Sequence, residues 1–271
     1  KVASGTRMLL FGVVMAALAV SSGTAAIYFT ITNIAKAGDE IVAASNLYGG
    51  TFSQFDAILP NVGIKAKFTP VNDLAAVEAA IKNDIYVIID WHTHEAHKQT
   101  DAAKNFFKEM AQTYGQYDNV IFEVFNEPEK ISWSDVKNYA NQVIEVIRQY
   151  SDNLVLVGNP YWDQNPSDAI GNEVSDSKKN TAYTLHYYAN SHNWEGTYSW
   201  GGESEGVKGE KAIKAGLSVF ISEWGTADAS GAGNPDQGRN QSWQEYVNKY
   251  QLSWANWSAS KVDEGTAAFQ G

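Results

Sequence analysis

The chain has 271 residues, 44% of them hydrophobic, which is enough for one domain of α/β-barrel size. With 31 acidic and 20 basic side chains, its formal charge of −11 argues against nucleic acid and against an anionic membrane as partners. A neutral ligand suits this balance better. The absence of cysteine from the sequence excludes disulfides, thiolate catalysis and cysteine-bound zinc.

The N-terminal segment combines basic and apolar residues. Lys1 and Arg7 precede the mostly apolar run 8–20, which small residues follow. This run is too short to span a bilayer as a helix. The arrangement resembles a secretory signal, and a buried strand or helix is the alternative interpretation. We expect a secreted, monomeric protein that does not enter a membrane.

From residue 85 onward, apolar strand-like runs alternate with segments of helical periodicity. The predicted strands are 85–91, 120–126, 154–158, 181–188, 219–223 and 253–257. The predicted helices between them are 101–114, 134–150, 206–215 and 241–250. Near-continuous β-branched runs are typical of strands buried on both faces, and alternation of strands with helices indicates a parallel sheet.

Two further strands upstream would complete an eight-stranded barrel. The candidates are 40–44 and 64–68, each followed by a helical stretch, and 8–14 is a third candidate. We therefore predict an α/β fold, a (β/α)8 TIM barrel, as a single domain over residues 1–271. An open, doubly wound sheet remains the alternative. The polar stretch 225–239 is predicted to be a loop over one end of the barrel.

Polar residues cluster where the predicted strands end. Glu127 follows the run VIFEVFN, and Glu223 ends the run VFISE. They are 96 residues apart (223 − 127), so three strand–helix units separate them and they face one another across the barrel mouth. Paired carboxyl groups across a cleft are the apparatus of glycoside hydrolysis, in which one group stays protonated and the other stays ionised.

Six motifs give the chain a family resemblance over about residues 81–268, namely IIDWH, VIFEVFNEP, LVLVG, LHYYA, ISEWGT and SWANWS. They resemble glycoside hydrolase family 5, in particular its bacterial endo-β-1,4-glucanases. The resemblance implies a retaining enzyme without cofactor or metal, acting on a β-glucan polysaccharide. It makes Glu127 the general acid/base and Glu223 the nucleophile. The substrate-binding residues that it implies are His92, Asn126, Trp162, His186, Tyr188, His192 and Trp257.

The resemblance assigns a role to most of these side chains. Asn126 holds the sugar 2-hydroxyl, and Tyr188 steers the nucleophile. Trp257 is the sugar platform at the cleavage subsite, and Trp162 is a platform on the leaving-group side. Tyr188 shares a strand face with His186, whereas the neighbouring tyrosine points the other way.

The first 80 residues depart from this family pattern. The family carries an arginine after its second strand, near the nucleophile, but the only arginines here are Arg7, Arg148 and Arg239. Lys67 lies near the expected place, although an ammonium group cannot form a bidentate fork. We therefore expect the pKa of Glu223 to lie higher than in a family member that has the arginine.

Residues 16–68 instead resemble the pyridoxal-phosphate enzymes of the O-acetylhomoserine sulfhydrylase kind. That resemblance would place a cofactor phosphate at Ser22, Gly23 and Thr24, with Tyr48 nearby. The family's cofactor-binding lysine motif is missing from the later chain. We interpret residues 1–80 as an atypical part, either chimaeric or wrongly assigned, joined to a glucanase-like body at 81–271.

Two other functions stay open at this point. His92, His94 and His97 follow one strand, as in a metal-dependent amidohydrolase site, and His186 could complete the ligand set. No suitably placed aspartate follows the last strand, where the sequence reads SWANWS and where that site needs one. A non-catalytic carbohydrate-binding barrel is the second alternative, because the arginine is missing.

Overall fold

The structure is a computed structural model that describes residue 32 and residues 36–38, 40–44, 54–69, 74–258 and 265–267. Several of the predictions fall outside these residues. They concern the signal-like segment, the candidate strand 8–14, the phosphate site at Ser22, Gly23 and Thr24, and Tyr48. The side chain of Lys67 also lies outside what is described.

The described residues form nine parallel strands and five α-helices of nine residues or more. The strands are β1 Glu40–Ala44, β2 Lys65–Thr69, β3 Val87–Asp90, β4 Val120–Glu123, β5 Val155–Val157, β6 Thr181–Thr184, β7 Tyr187–Tyr188, β8 Val219–Gly225 and β9 Trp254–Asn256. The helices are α1 Leu74–Lys82, α2 Thr100–Tyr114, α3 Trp133–Ile147, α4 Glu205–Lys214 and α5 Gln237–Tyr250.

The strand pairing follows the chain around a barrel. β1 pairs with β2, and a second sheet runs β3-β4-β5-β6-β8 with β9 on the far side of β8. β6 and β7 both pair with β8, and Leu185 between them still donates its N–H to the Phe220 carbonyl, so they form one interrupted strand. Eight barrel positions result. The chain has the predicted (β/α)8 TIM-barrel fold.

From residue 85 onward, strands and helices occur where they were predicted, but several begin or end at other residues. The strand predicted at 120–126 ends at Glu123, and the helix predicted at 241–250 begins at Gln237, within the predicted loop 225–239. The helical stretch predicted to follow strand 40–44 covers residues 51–59, and its described part is not an α-helix. A π-helical turn, Gln54–Ile58, is followed by a 3-10 turn, Leu59–Val62, which Gly63 ends in a left-handed conformation.

Alternation along each strand separates the inner and outer layers of the core. Phe122 and Val155 point outward and pack with α2 and α3 in the largest hydrophobic cluster. Ile121 and Leu156 belong to a separate inner cluster, which fills the barrel. Because Glu123 shares a strand face with Ile121, its buried carboxyl lies inside the barrel, one layer nearer the mouth.

A second outer cluster supports the far half of the barrel. Trp243 of α5 is fully buried and stacks on Tyr187 with ring centroids 3.8 Å apart. Leu185 and Ile221 complete this cluster from the strands. Among the helices of the described residues, none has the length and apolar character needed to cross a membrane.

Candidate active site

A cleft of about 460 Å³ opens at the carboxyl ends of the barrel strands. Barrel mouths of this kind collect side chains from several strands, because every parallel strand ends at the same rim. Six of the residues that line it carry polar or aromatic side chains already noted in the sequence, namely His94, Glu127, Trp162, His186, Tyr188 and His192.

Glu223 lies beside Glu127, which lines this cleft. One carboxylate oxygen of each and one ring nitrogen of His186 all lie within 4.8 Å of one another. Inverting glycosidases hold their two carboxyl groups about 6.5–9.5 Å apart, whereas retaining ones hold them at about 5–5.5 Å. The spacing of Glu127 and Glu223 therefore fits the retaining geometry.

Tyr188 is bonded directly to the candidate nucleophile. Its hydroxyl donates a 2.6 Å hydrogen bond to Oε1 of Glu223. Burial raises the pKa of Glu223, and the His186 charge, the Tyr188 hydrogen bond and the His92 charge oppose that rise. These three groups all favour the ionised form, which is the form that can attack a carbon atom.

His186 connects the carboxyl groups below the cleft. Its Nδ1 lies 3.0 Å from Oε1 of Glu127, and its Nε2 lies 2.8 Å from Oγ of Ser222. The Ser222 hydroxyl donates to Oε1 of Glu123 at 2.5 Å, so it accepts from Nε2–H of His186. Burial alone would lower the pKa of His186, but Asp163, Glu127 and Glu223 outweigh burial and raise it to about 10.

Asp163 holds the backbone of Glu127. Its Oδ2 accepts from the N–H of Glu127 at 2.9 Å, and its Oδ1 accepts from the N–H of Asn159 at 2.6 Å. Glu127 has a φ of 50°, a left-handed conformation that costs a residue other than glycine about 1–3 kcal/mol. The Asp163 carboxylate offsets part of this strain, and burial raises its own pKa to about 6.

The segment that carries Asp163 is itself unusual. Tyr161, Trp162 and Asp163 have φ values of 62°, 57° and 60°, which makes one left-handed turn. The N–H groups of Tyr161 and Trp162 bond to the carbonyls of Glu129 and Pro128, so this turn clasps the loop after Glu127. Trp162 is thereby presented to the cleft, as expected for a sugar platform.

His92, which interacts electrostatically with Glu223 and Glu127, stacks on Trp257. Their rings stack with centroids 5.8 Å apart and planes 9° apart, and 38% of Trp257 remains exposed. Nδ1 of His92 lies 2.7 Å from Oδ2 of Asp90. This hydrogen bond raises the pKa of His92 and outweighs the opposing effect of burial, while Glu223 and Glu127 add to the rise.

Two further side chains, His192 and Asn126, were expected near the substrate or the proposed catalytic acid. Nδ1 of His192 accepts the N–H of Tyr188 at 2.8 Å, which leaves the ring proton on Nε2 as a donor. Burial lowers the pKa of His192 and favours this neutral form. Asn126 is 3% exposed and directly precedes Glu127 in the chain. The structure thus brings His192 to the cleft and Asn126 beside the acid.

The two arginines of the described residues serve elsewhere. Arg148 forms a buried, bidentate pair with Asp176 at 2.7 and 2.8 Å. Arg239 binds the carbonyls of Ala189 and His192. Within the described part of the chain, His92 and His186 are the positive groups that lower the pKa of Glu223. They supply charge of the kind that the resemblance assigned to an arginine.

Sequence reasoning missed three side chains of the site: Glu123, Asp163 and Ser222. A carboxyl inside the apolar run VIFE was a visible signal for Glu123, since a barrel strand has no packing need for it. Ser222 directly precedes Glu223, and Asp163 directly follows Trp162. His94 was noted only as a potential metal ligand, yet it lines the cleft and bonds to the carbonyl of Glu127 at 2.8 Å.

The histidine motif considered for metal binding does not assemble. Among the described residues, the groups with ligand atoms within 4.8 Å are Glu123, Asp163 and His186, and Glu127, His186 and Glu223. His92 is instead bonded to Asp90, and His97 stacks on Phe125. The interpretation as an amidohydrolase-type centre, which required His92, His94 and His97 together, therefore lacks its ligand set.

Comparison with known proteins agrees with this geometry. The model of the family described as cellulase (glycosyl hydrolase family 5) matches residues 31–263. Endoglucanase Z of Dickeya dadantii is 41% identical over 209 residues, which is 76% of this chain and 45% of that protein. Cellulase CelDZ1 of a Thermoanaerobacterium species is 37% identical over 217 residues, covering 72% of this chain and 54% of its own.

Solved structures show the same likeness. The catalytic domain of alkaline cellulase K is 32% identical, with a TM-score of 0.64 over 72% of this chain and 61% of that one. The catalytic domain of endoglucanase Cel5A from Thermobifida fusca, solved with cellotetraose, is 29% identical, with a TM-score of 0.62 over 72% of this chain and 63% of that one. This chain spans about half the length of endoglucanase Z and of cellulase CelDZ1.

The family match also corrects the expected boundary of the resemblance. It begins at residue 31 rather than near residue 81, so residues 31–80 lie within the matched region. The sulfhydrylase resemblance of residues 16–68, which overlaps this match, finds no support in the comparisons. The matched region contains both Glu127 and Glu223, and the chain belongs to the cellulase family, glycosyl hydrolase family 5.

Proposed function

We propose that this chain is a retaining endo-β-1,4-glucanase that cleaves internal bonds of cellulose or a related β-glucan. The observation that carries the proposal is the approach of the Glu127 and Glu223 carboxylates to within 4.8 Å at the barrel mouth. The relatives named cellulase and endoglucanase support this choice of substrate. We also propose that the protein acts outside the cell, where such polymers occur.

The proposed reaction has two displacements. In the first, Glu223 attacks the anomeric carbon, the bond to the leaving oxygen breaks, and Glu127 donates its proton to that oxygen. In the second, Glu127 takes a proton from a water molecule, the water oxygen attacks the same carbon, and the ester bond to Glu223 breaks. The sugar then leaves with its original anomeric configuration.

The surrounding residues support each proposed role. Tyr188 donates a hydrogen bond to Glu223 and keeps the second oxygen of that carboxylate available for attack. His186 lies 3.0 Å from Glu127, and its positive charge stabilises Glu127 whenever that carboxyl group is ionised. Trp257 and Trp162 offer flat apolar faces to the sugar rings on the two sides of the scissile bond.

The two carboxylates can be tested separately. Glu223→Ala should nearly abolish hydrolysis of carboxymethylcellulose and mixed-linkage β-glucan, and added azide should restore part of the rate on an aryl cellobioside. Glu127→Ala should retain more activity on aryl cellobiosides than on polysaccharide, because a good leaving group needs little protonation. Equal loss of Glu127→Ala activity on both substrates would contradict its role as acid.

A carbohydrate-binding barrel without catalysis is the remaining alternative. It predicts that the unmodified protein binds β-glucan but releases no reducing ends.

Retention of the anomeric configuration can be checked directly, since proton magnetic resonance of the first product shows whether the β-anomer forms. Initial release of the α-anomer would replace the proposed double displacement with an inverting mechanism.

A further inference from the structure

The loop after β7 carries an aromatic side chain that the proposed mechanism does not use. Trp200 is 75% exposed and lies near the tip of a hairpin-like turn closed by the antiparallel bridge between Thr197 and Glu203. It is not among the residues that line the cleft. This loop follows the carboxyl end of β7, so it lies on the same face of the barrel as the cleft.

The Trp200 ring has a defined orientation despite its exposure. It stacks on Tyr198 with ring centroids 5.4 Å apart and planes 6° apart. It also lies against Gly202, where a β-carbon would come within 1.8 Å of the indole ring. Glycine at this position is therefore required for the ring to lie where it does, and one broad indole surface is left facing solvent.

The support beneath Trp200 is anchored in the body of the protein. The Tyr198 hydroxyl bonds to Oε2 of Glu205 at 2.5 Å, and Glu205 is 4% exposed in the first turn of α4. Lys211 of the same helix pairs with Glu203 at 2.5 Å. Both sides of the turn are thus fixed to α4, so the indole is held without being buried.

The same loop is continuous with the cleft at its other end. Arg239 binds the carbonyl of His192 and the side-chain oxygen of Asn193, each at 2.7 Å. His192 lines the cleft and lies eight positions before Trp200 in the chain. An extended chain of that length reaches at most about 29 Å, so the indole lies within reach of a polymer held in the cleft.

We propose that Trp200, backed by Tyr198, is a sugar-stacking platform that binds the glucan chain outside the cleft. The identity of the ligand rests on the proposed function, whereas the platform rests on the geometry of the loop. A flat, fixed and exposed indole complements the apolar C–H face of a pyranose ring. A platform beyond the cleft contacts long chains but not the short substrates that the cleft alone accommodates.

Trp200→Ala, Trp200→Phe and Tyr86→Ala form a matched set of variants. Tyr86 is 71% exposed but precedes β3, at the opposite end of the barrel, so it controls for loss of an exposed aromatic ring. Binding is measured by retardation in native gels that contain barley β-glucan. KM is measured on long β-glucan and on an aryl cellobioside.

Trp200→Ala should weaken retardation and raise KM for long glucan by about fivefold, the change that a loss of ~1 kcal/mol produces at 25 °C. The effect on the aryl cellobioside should be smaller, and Trp200→Phe should recover most of the binding. Unchanged retardation of Trp200→Ala, or an equal rise in KM on both substrates, would overturn the proposal that Trp200 is a sugar platform. A parent protein that is retarded but releases no reducing ends would overturn the proposed hydrolysis and leave the platform standing.

Discussion

Tyr188 donates its hydroxyl proton to Oε1 of Glu223 across 2.6 Å, and this bond links the sixth and seventh positions of the barrel. Glu223 is 9% exposed, and burial raises its pKa. The Tyr188 bond acts in the opposite direction because it stabilises only the carboxylate. Glu223, the proposed nucleophile, therefore depends on its neighbours to stay ionised.

Tyr188→Phe should lower kcat and move the acidic limb of the pH–rate profile to higher pH. Hydrogen bonds to charged groups contribute about 1.5–3 kcal/mol, which corresponds to roughly a 10- to 150-fold loss. Without the hydroxyl the pKa of Glu223 rises, so a higher pH is needed to ionise it. Tyr187→Phe is the matched control, since Tyr187 packs on Trp243 on the opposite strand face. If the acidic limb of Tyr188→Phe stays at the pH of the parent protein, Tyr188 does not control the ionisation of Glu223.

His92→Gln tests whether histidine charge stands in for the missing arginine. The His92 charge lowers the pKa of Glu223, so its removal should also move the acidic limb to higher pH. Lys67→Ala is measured in parallel, because Lys67 remains the sequence-based candidate for the same role. We expect His92→Gln to have the larger effect. A shift in Lys67→Ala alone would assign the role to the lysine.

The pKa of His186 predicts a pH-dependent stability. The folded value of about 10 lies above the usual value of 6.5, so the folded state binds the extra proton. The resulting stabilisation is fully present below pH 6.5 and is lost as pH rises through 10. Urea unfolding should therefore show the stability gap between the parent and His186→Gln shrinking over that range.

His192→Gln provides the control for this measurement. Burial lowers the pKa of His192, so its unfolded state binds the proton more readily than its folded state. Its effect on stability should appear only at pH values below about 6.5, with stability rising as pH rises. The same pH dependence in His186→Gln and His192→Gln would show that His186 is not held as a cation.

Asp163→Asn should impair the acid step rather than substrate binding. An amide offers one acceptor oxygen, so either Glu127 or Asn159 loses the partner of its N–H group. Leaving a buried donor unpaired costs about 1–3 kcal/mol. We expect a lower kcat with a nearly unchanged KM, and a greater loss for poor leaving groups than for good ones. Equal losses on both kinds of substrate would indicate general destabilisation instead.

The sequence by itself determined the barrel and the two carboxylates. Runs such as VIFEVFN and VFISE are local signals, since a strand buried on both faces must be apolar wherever it lies. Glu127 and Glu223 stand out because they end such runs, and parallel strands bring their ends to one rim. The sequence likewise predicted that Tyr187 and Tyr188 point to opposite faces of the strand, because successive strand residues alternate between faces.

Only the tertiary structure decided how these carboxylates are supported. The Ser222 bond to Glu123 joins residues 99 positions apart, and the Asp163 bond to Glu127 joins residues 36 positions apart. Neither partner choice follows from periodicity, because many polar side chains compete for each buried group. The left-handed turn at Tyr161–Asp163 contains no glycine, so the sequence gives no local signal for it. Hydrogen bonds to the loop after Glu127 stabilise this turn. Burial and distance, which set the charges of His186 and His92, exist only once the strands have closed around the cleft.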